Sequence, residues 1–256
     1  MPKHLGAHAT RLADARKLHS AKGRREQGRF LFEGPTLLAE ARESGAEIEE
    51  VFATNAAFES TPLLREMERD GVAVWAIDER SAARLSDVTS PTGIVAVARR
   101  RFEELPLLFA RPGIVLVLAA VNDPGNAGTL LRSAEAFGAA GVVFGPLGVD
   151  PYHPKVVRAA MGSLFRLPPA AAGPNDVEAA AASAGRTIVG LSGRGESIRE
   201  GSLPERAVLV VGHERSGLGE WAPLCARLVA LPMEGRVESL NAAVAASIAL
   251  FEAAGR

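Results

Sequence analysis

Val121–Gly138, VNDPGNAGTLLRSAEAFG, is the stretch on which the reading of this chain turns. Immediately before it, Gly113–Ala120 (GIVLVLAA) is an unbroken apolar run, the pattern of a strand buried on both faces of a sheet. Asp123-Pro124-Gly125-Asn126 interrupts the run with turn residues, and Thr129–Phe137 takes up helical spacing until Gly138 stops it. A strand giving way to a helix is where parallel α/β sheets hold ligands, outside the carboxyl ends of their strands. Asn126 and Arg132 are expected there as a loop amide and a guanidinium about one turn into the helix, facing one crevice. The alternative is that Asn126 only caps the helix and Arg132 is a solvated outer-face residue.

Outward from that stretch the chain alternates strand and helix. Downstream, the pattern predicts strands at Val142–Gly145, Thr187–Leu191, Ala207–Val211 and Leu228–Leu231. Helices are expected at Pro154–Met161, Asn175–Ala184 and Ser239–Ala254, with a short extended piece at Leu164–Pro168. Upstream, a polar basic helix over Leu5–Ala21 leads into strands at Phe30–Phe32, Glu47–Ala53, Val72–Ile77 and Ile94–Ala98. Helices at Pro35–Ser44, Thr61–Asp70 and Glu79–Leu85 separate them, giving an alternating βα unit. Arg99-Arg100-Arg101 and the Pro-containing segment to Gly113 mark a change of composition. Two α/β domains are therefore expected, residues 1–100 and 113–256, with a linker at 101–112. The triple arginine fits either a charged linker or an RNA contact.

With 256 residues and 47% hydrophobic content, the chain has ample material for a core, and its net charge of -1 does not mark the whole protein as basic. The distribution of charge is more telling. Residues 1–30 carry Lys3, Arg11, Arg16, Lys17, Lys22, Arg24, Arg25 and Arg29 against Asp14 and Glu26, a local balance of +6. Such an arm suits phosphates, or it is a solvated helix face. Cys225 stands alone, which excludes a disulfide framework and a thiolate zinc site. No apolar run approaches the roughly 20 residues needed to span a bilayer, and no apolar signal segment follows the first basic residues. A cytosolic protein without a metal or membrane partner is expected.

Several strand ends carry polar or Gly-rich loops: Asn122–Asn126, Ser192–Gly195, Gly212–Gly217 and Met233–Asn241. In a parallel sheet they share an edge, so Asn126, Arg132, Glu214, Ser239 and Asn241 are candidates to converge on one pocket. Gly193, Gly195, Gly212 and Gly217 would let backbone approach a ligand there. G-x-G-x-x-G after a strand, G-x-x-x-x-G-K-[ST] and G-x-S-x-G are all absent, which removes the usual dinucleotide, P-loop and nucleophile-elbow readings. His153 and His213 lack metal-ligand spacing and read as structural. Glu214 fits either a general acid or base or a helix cap.

The combination of Asn126-x-Gly128-x-x-x-Arg132, VVGHERSGL at Val210–Leu218, and LPM at Leu231–Met233 followed by ESLNAAVAASIAL at Glu238–Leu250 resembles the three motifs of the SpoU/TrmH family. These are S-adenosylmethionine-dependent RNA methyltransferases of the SPOUT class. RAAMGS at Arg158–Ser163 is similar to the family's segment between motifs, and FLFEGPTLLAEA at Phe30–Ala41 and SPTGIVAV at Ser90–Val97 to its N-terminal substrate-binding domain. The resemblance spans nearly the whole chain. It implies a C-terminal parallel-sheet SPOUT domain with a deep trefoil knot, one of the rare exceptions to unknotted topology, preceded by a smaller α/β ribosomal-protein-like domain. It implies homodimers packed through the knotted domain, with the apolar helix from Asn241 as interface as well as core.

The same resemblance implies transfer of a methyl from S-adenosylmethionine to a ribose 2′-hydroxyl in RNA, with 23S ribosomal RNA as the favoured substrate. A tRNA substrate, or a non-catalytic RNA-binding or ribosome-assembly protein of the same fold, is the alternative. Cofactor contacts are implied for Leu191, Ser192, Gly193, Gly212, His213, Glu214, Leu231, Met233, Ser239 and Leu240. Arg132 is implied to handle the 2′-hydroxyl, with Asn126, Glu214, Ser239 and Asn241 ordering the site. A guanidinium is a poor base, so Arg132 fits phosphate binding and stabilisation of a developing alkoxide equally well. Arg24, Arg25, Arg29 and Arg132 are the candidate RNA contacts.

Overall fold

A computed structural model describes residues 3–7, 9–199, 203–213, 215–235 and 239–254. The chain divides into two compact units, one formed by residues up to 100 together with 152–165, the other by 101–151 together with 166 onward.

The first unit is built on a five-stranded sheet of β1 (Lys3–His4), β2 (Arg29–Glu33), β3 (Ile48–Thr54), β4 (Ala73–Ile77) and β5 (Ile94–Arg99), in the order β1-β4-β3-β5-β2. β4 runs parallel to β1 and β3, whereas β5 lies antiparallel to both β3 and β2. The sheet is thus mixed, although strand–helix alternation alone suggests a parallel one. Ile94–Ala98 is buried throughout, so the apolar pattern of this strand carries no mark of its direction. The expected single helix at Leu5–Ala21 is two, Thr10–Lys17 and Ala21–Gln27, because Ser20 caps the second by accepting from Gly23 N at 3.0 Å.

Tyr152–Phe165 belongs to this unit despite its position in the chain. Phe165 sets its ring edge-on to Phe32, with centroids 5.2 Å apart, and the Tyr152 ring lies 4.6 Å from that of Phe30. Leu164–Pro168 is not the extended piece expected. Met161 (φ 48) and Gly162 (φ +95) reverse the chain, and Ser163–Arg166 forms a helical turn that delivers Phe165 to those aromatics.

The second unit is a six-stranded, wholly parallel sheet of β6 (Val115–Leu118), β7 (Gly141–Phe144), β8 (Ala170–Ala171), β9 (Ile188–Ser197), β10 (Val208–Val211) and β11 (Arg227–Ala230), ordered β11-β9-β10-β6-β7-β8. The central runs VLVL, GVVF and VLVV are buried at every position, as strands covered on both faces require. Residues 101–112 are more than a linker. They hold the helix Leu105–Ala110, whose Leu108 and Phe109 join this unit's core. Buried Arg186 fastens that segment, its guanidinium donating to the carbonyl oxygens of Phe109 (2.8 Å), Gly113 (2.7 Å) and Arg111.

Candidate functional site

The helix that follows β6 starts earlier than its apolar spacing indicates. It spans Pro124–Ala136, with Pro124 in the first turn and Asp123 as cap, the Asp123 carboxylate accepting from Asn126 N at 2.7 Å. Asn126 is therefore a residue of the first helical turn. Arg132 lies six residues on, about 9 Å along the axis and roughly 120° round it, so the two do not share a helix face. This corrects the expectation of a loop amide, since Asn126 is helical. Arg132 is exposed and makes no hydrogen bond or ion pair among the described residues.

The end of the β9 segment that pairs with β10, the carboxyl ends of β10 and β11, and the start of the closing helix Ala242–Ala254 surround a cleft of about 200 Å³. Leu191, Ser192, Gly193, Gly212, His213, Leu231, Met233, Ser239 and Leu240 line it. Glu214 lies outside the described residues. Three sequence segments far apart in the chain thus meet at one sheet edge, where parallel sheets bind ligands. The register explains how β9 contributes. Leu228 of β11 is opposite Gly190, but its successor Val229 is opposite Glu196, so residues 191–195 bulge away from β11. The tip of that bulge, Leu191–Gly193, forms one wall of the cleft.

The turn after β10 is closed by reciprocal backbone bonds of 2.9 Å between His213 and Gly217, and His213 Nδ1 accepts from the backbone N–H groups of Arg215 (3.0 Å) and Ser216 (3.4 Å). The ring therefore carries its hydrogen on Nε2 when neutral. A Cβ at Gly212 would stand 2.1 Å from the carbonyl oxygen of Gly217, so only glycine permits this turn.

Asn241 joins the cleft to the helix of Asn126. Its Oδ1 accepts from Ala243 N (2.9 Å) and Val244 N (3.2 Å), capping the closing helix, while its Nδ2 donates to Asn126 Oδ1 at 3.0 Å. The closing helix accordingly begins at Ala242 and not at Ser239. Ala242 and Ala245, three residues apart on that helix, also line the cleft and were not anticipated. Their signal in the sequence is the run of small residues directly after Asn241, which leaves room for a ligand on that helix face.

Three of the candidate RNA contacts lie in the first unit. Arg24 is 1% exposed, and its guanidinium donates to the carbonyl oxygens of Leu18 (3.0 Å) and His19 (2.9 Å). It holds the junction of the first two helices and cannot meet a ligand, which corrects its assignment. Arg29 pairs with Glu49 at 3.2 Å and bonds Gln27. Arg25 is exposed. In the second unit burial pushes the Cys225 thiol up to about 11, which leaves it without nucleophilic character. Among the described residues, no group of three His, Cys, Asp or Glu side chains is placed to hold a metal, and no helix is long and apolar enough to cross a membrane.

Residues 113–251 match the SpoU rRNA Methylase family, and residues 10–96 match the MRM3-like substrate binding domain. Over 249 residues the chain is 30% identical to the 23S rRNA (guanosine(2553)-2′-O)-methyltransferase of Bacillus subtilis, covering 96% of each protein. Its structure is similar to that of an AdoMet-bound rRNA methyltransferase from Sinorhizobium meliloti, with TM-score 0.87, 30% identity and coverage of 98% of this chain and 97% of that one. It is also similar to the SpoU methyltransferase AviRb from Streptomyces viridochromogenes in complex with AdoMet, with TM-score 0.86, 29% identity and coverage of 97% and 98%.

Proposed function

We propose, on the premise that the chain belongs to the SpoU rRNA methylase family, that it transfers a methyl group from S-adenosylmethionine to a ribose 2′-hydroxyl of large-subunit ribosomal RNA. The observation that carries this reading is the cleft beside β9, β10 and β11, which the second and third motif segments line and which Asn241 ties to Asn126 of the first motif. Its residues fit the cofactor. Leucine side chains wall it, and nothing lies within 4 Å of where a Cβ of Gly193 would stand, so the backbone there is open to a ligand. When bound, S-adenosylmethionine supplies a methyl group made electrophilic by its sulfonium.

The rest of the work falls to the chain. Ser239 presents a hydroxyl in the cleft, and the Asn241–Asn126 bridge holds the start of the closing helix against the helix that carries Arg132. Arg132, with its five donors unspent, is available to an incoming RNA. It holds a backbone phosphate and stabilises the negative charge that develops on the 2′-oxygen, whose proton passes to solvent water. Glu214 is retained in the catalytic set on the strength of its motif. The first unit selects the RNA. The ribosomal substrate is favoured because the B. subtilis relative acts on 23S rRNA and because residues 10–96 match a substrate-binding domain.

The deep trefoil knot of the SPOUT class and a homodimer belong to the same reading. The closing helix exposes Val244 (48%), Ile248 (38%) and Phe251 (59%), an i, i+4, i+7 stripe suited to a second copy. A ribosomal substrate and a lone thiol at Cys225 both suit the cytoplasm.

The test is methyl incorporation from labelled S-adenosylmethionine into unmodified 23S rRNA, small-subunit rRNA and tRNA, with mapping of the modified position. Label at one 23S ribose is expected, and Arg132→Ala lowers the rate by about 10² to 10³ with cofactor binding intact. Label in tRNA alone would overturn the ribosomal assignment. Normal methylation by Arg132→Ala would remove that residue from the mechanism.

A further inference from the structure

The fold sorts the basic arm by how each charge is used. Arg11 pairs with Glu50 at 3.3 Å, Lys17 with Asp14 at 2.8 Å, Lys22 with Glu26 at 3.7 Å and Arg29 with Glu49 at 3.2 Å, while Arg24 is buried. Arg16 is different. It is exposed and has neither a hydrogen bond nor an ion pair among the described residues, and the same holds for Arg84 on the helix Glu79–Leu85. These two guanidiniums line one cavity of about 170 Å³ in the first unit, beside the helices Thr10–Lys17 and Glu79–Leu85.

Leu12 and Leu85 also line this cavity, and no acidic side chain does. Arg80 stands one helical turn before Arg84 and adds to the positive field. The nearby carboxylate of Asp78 is engaged as the cap of that helix, accepting from Ser81 N at 2.6 Å. Two like charges at one concavity repel each other unless an anion sits between them; Asp78 attracts Arg84 and Arg80 from outside the cavity, and no acidic side chain lines it. Arginine's planar fork matches phosphate oxygens two at a time.

We propose that this cavity is a binding site for the RNA phosphodiester backbone, with Arg16 and Arg84 each engaging a phosphate. The proposal rests on the reading of the chain as an RNA methyltransferase and adds where the first unit grips the strand. Arg84 is not among the RNA contacts expected from the sequence, and Arg16 is expected there only as one of the eight charges of the basic arm, with nothing local to distinguish it from Arg24.

The experiment is filter binding of the full chain to an unmodified 23S rRNA transcript between about 50 and 300 mM KCl. The double variant Arg16→Gln/Arg84→Gln is expected to bind on the order of tenfold more weakly near 0.1 M salt. The slope of log K against log salt should shrink by about 1.4, since each of the two phosphates no longer neutralised on single-stranded RNA accounts for roughly 0.7. Its thermal midpoint and S-adenosylmethionine affinity should match the wild type. Arg42→Gln removes one charge already matched by Glu66 and Asp70, and should leave the slope unchanged. If the wild type binds RNA and the double variant keeps both affinity and slope, the site is overturned while the methyltransferase reading stands. A wild type that binds no RNA overturns both. Saturable binding of inorganic phosphate that the transcript does not compete away would make this a free-anion site and overturn the RNA assignment.

Discussion

Asn241 serves two purposes that substitution can separate. Its Oδ1 caps the closing helix through Ala243 N and Val244 N, and its Nδ2 reaches Asn126 Oδ1 across to the neighbouring helix. Removing a cap costs about 1 kcal/mol, and an intramolecular hydrogen bond contributes about 1 kcal/mol net. Asn241→Ala removes both and should destabilise the second unit by about 2 kcal/mol, a fall in its melting midpoint of roughly 4–8 °C. Asn241→Ser keeps an equivalent cap but is too short to reach Asn126, so it should cost only about 1 kcal/mol. Both variants should lose most methyl transfer, since both release the bridge between the cleft and the helix of Arg132. Urea denaturation separates the two on stability, and labelled-methyl incorporation measures the shared defect. The reasoning is refuted if the serine variant is as unstable as the alanine variant, or if it methylates RNA at the wild-type rate.

Gly212→Ala places a methyl 2.1 Å from a backbone oxygen of Gly217, so the turn bordering the cleft has to move. Cofactor affinity measured by titration calorimetry should fall at least about tenfold, and an unchanged affinity would show that the turn does not contact the cofactor. Phe251→Glu puts a charge in the exposed stripe of the closing helix and should convert a dimer to a monomer in sedimentation velocity; a monomeric wild type would dispose of the dimer altogether. Burial holds the His19 imidazole below the ordinary histidine value of 6.5, so the native state prefers the neutral ring. For a lowered value, the stabilising contribution is complete above 6.5 and is lost as pH falls through that value towards the folded one. Between about pH 7 and pH 5 the wild type should lose more stability than His19→Leu, and parallel losses in denaturant midpoints would contradict this.

Much of the second unit is legible in the order of its residues. VLVL at Val115–Leu118 and VLVV at Val208–Val211 announce strands buried on both faces, because a strand covered on both sides presents an unbroken apolar run. Gly138, at φ +67, ends its helix where expected. The start of that helix is legible only in part. Asp123 and Pro124 are ordinary turn residues until the folded chain shows that the Asp123 carboxylate accepts from Asn126 N, which moves Asn126 into the helix. The bulge at residues 191–195 is hidden for a related reason, since a strand's pattern does not state which of its residues its neighbour skips.

Legible in the sequence are the α/β class, the places of the central strands, and the strand-end loops Asn122–Asn126, Ser192–Gly195, Gly212–Gly217 and Met233–Asn241, the last three of which supply residues to the cleft. Those follow from periodicity and turn chemistry, which act over a few residues. Features that depend on distant partners emerge only in the folded chain. Folding sets β5 antiparallel in the first sheet, gives Tyr152–Phe165 to the first unit, turns Arg24 inward onto two carbonyl oxygens, and leaves Arg16 in a shared cavity with Arg84. Arg16 and Arg24 are chemically the same residue in the same basic arm. Burial and hydrogen-bond satisfaction are properties of the assembled core, and they alone make one arginine a structural clasp and leave the other facing solvent.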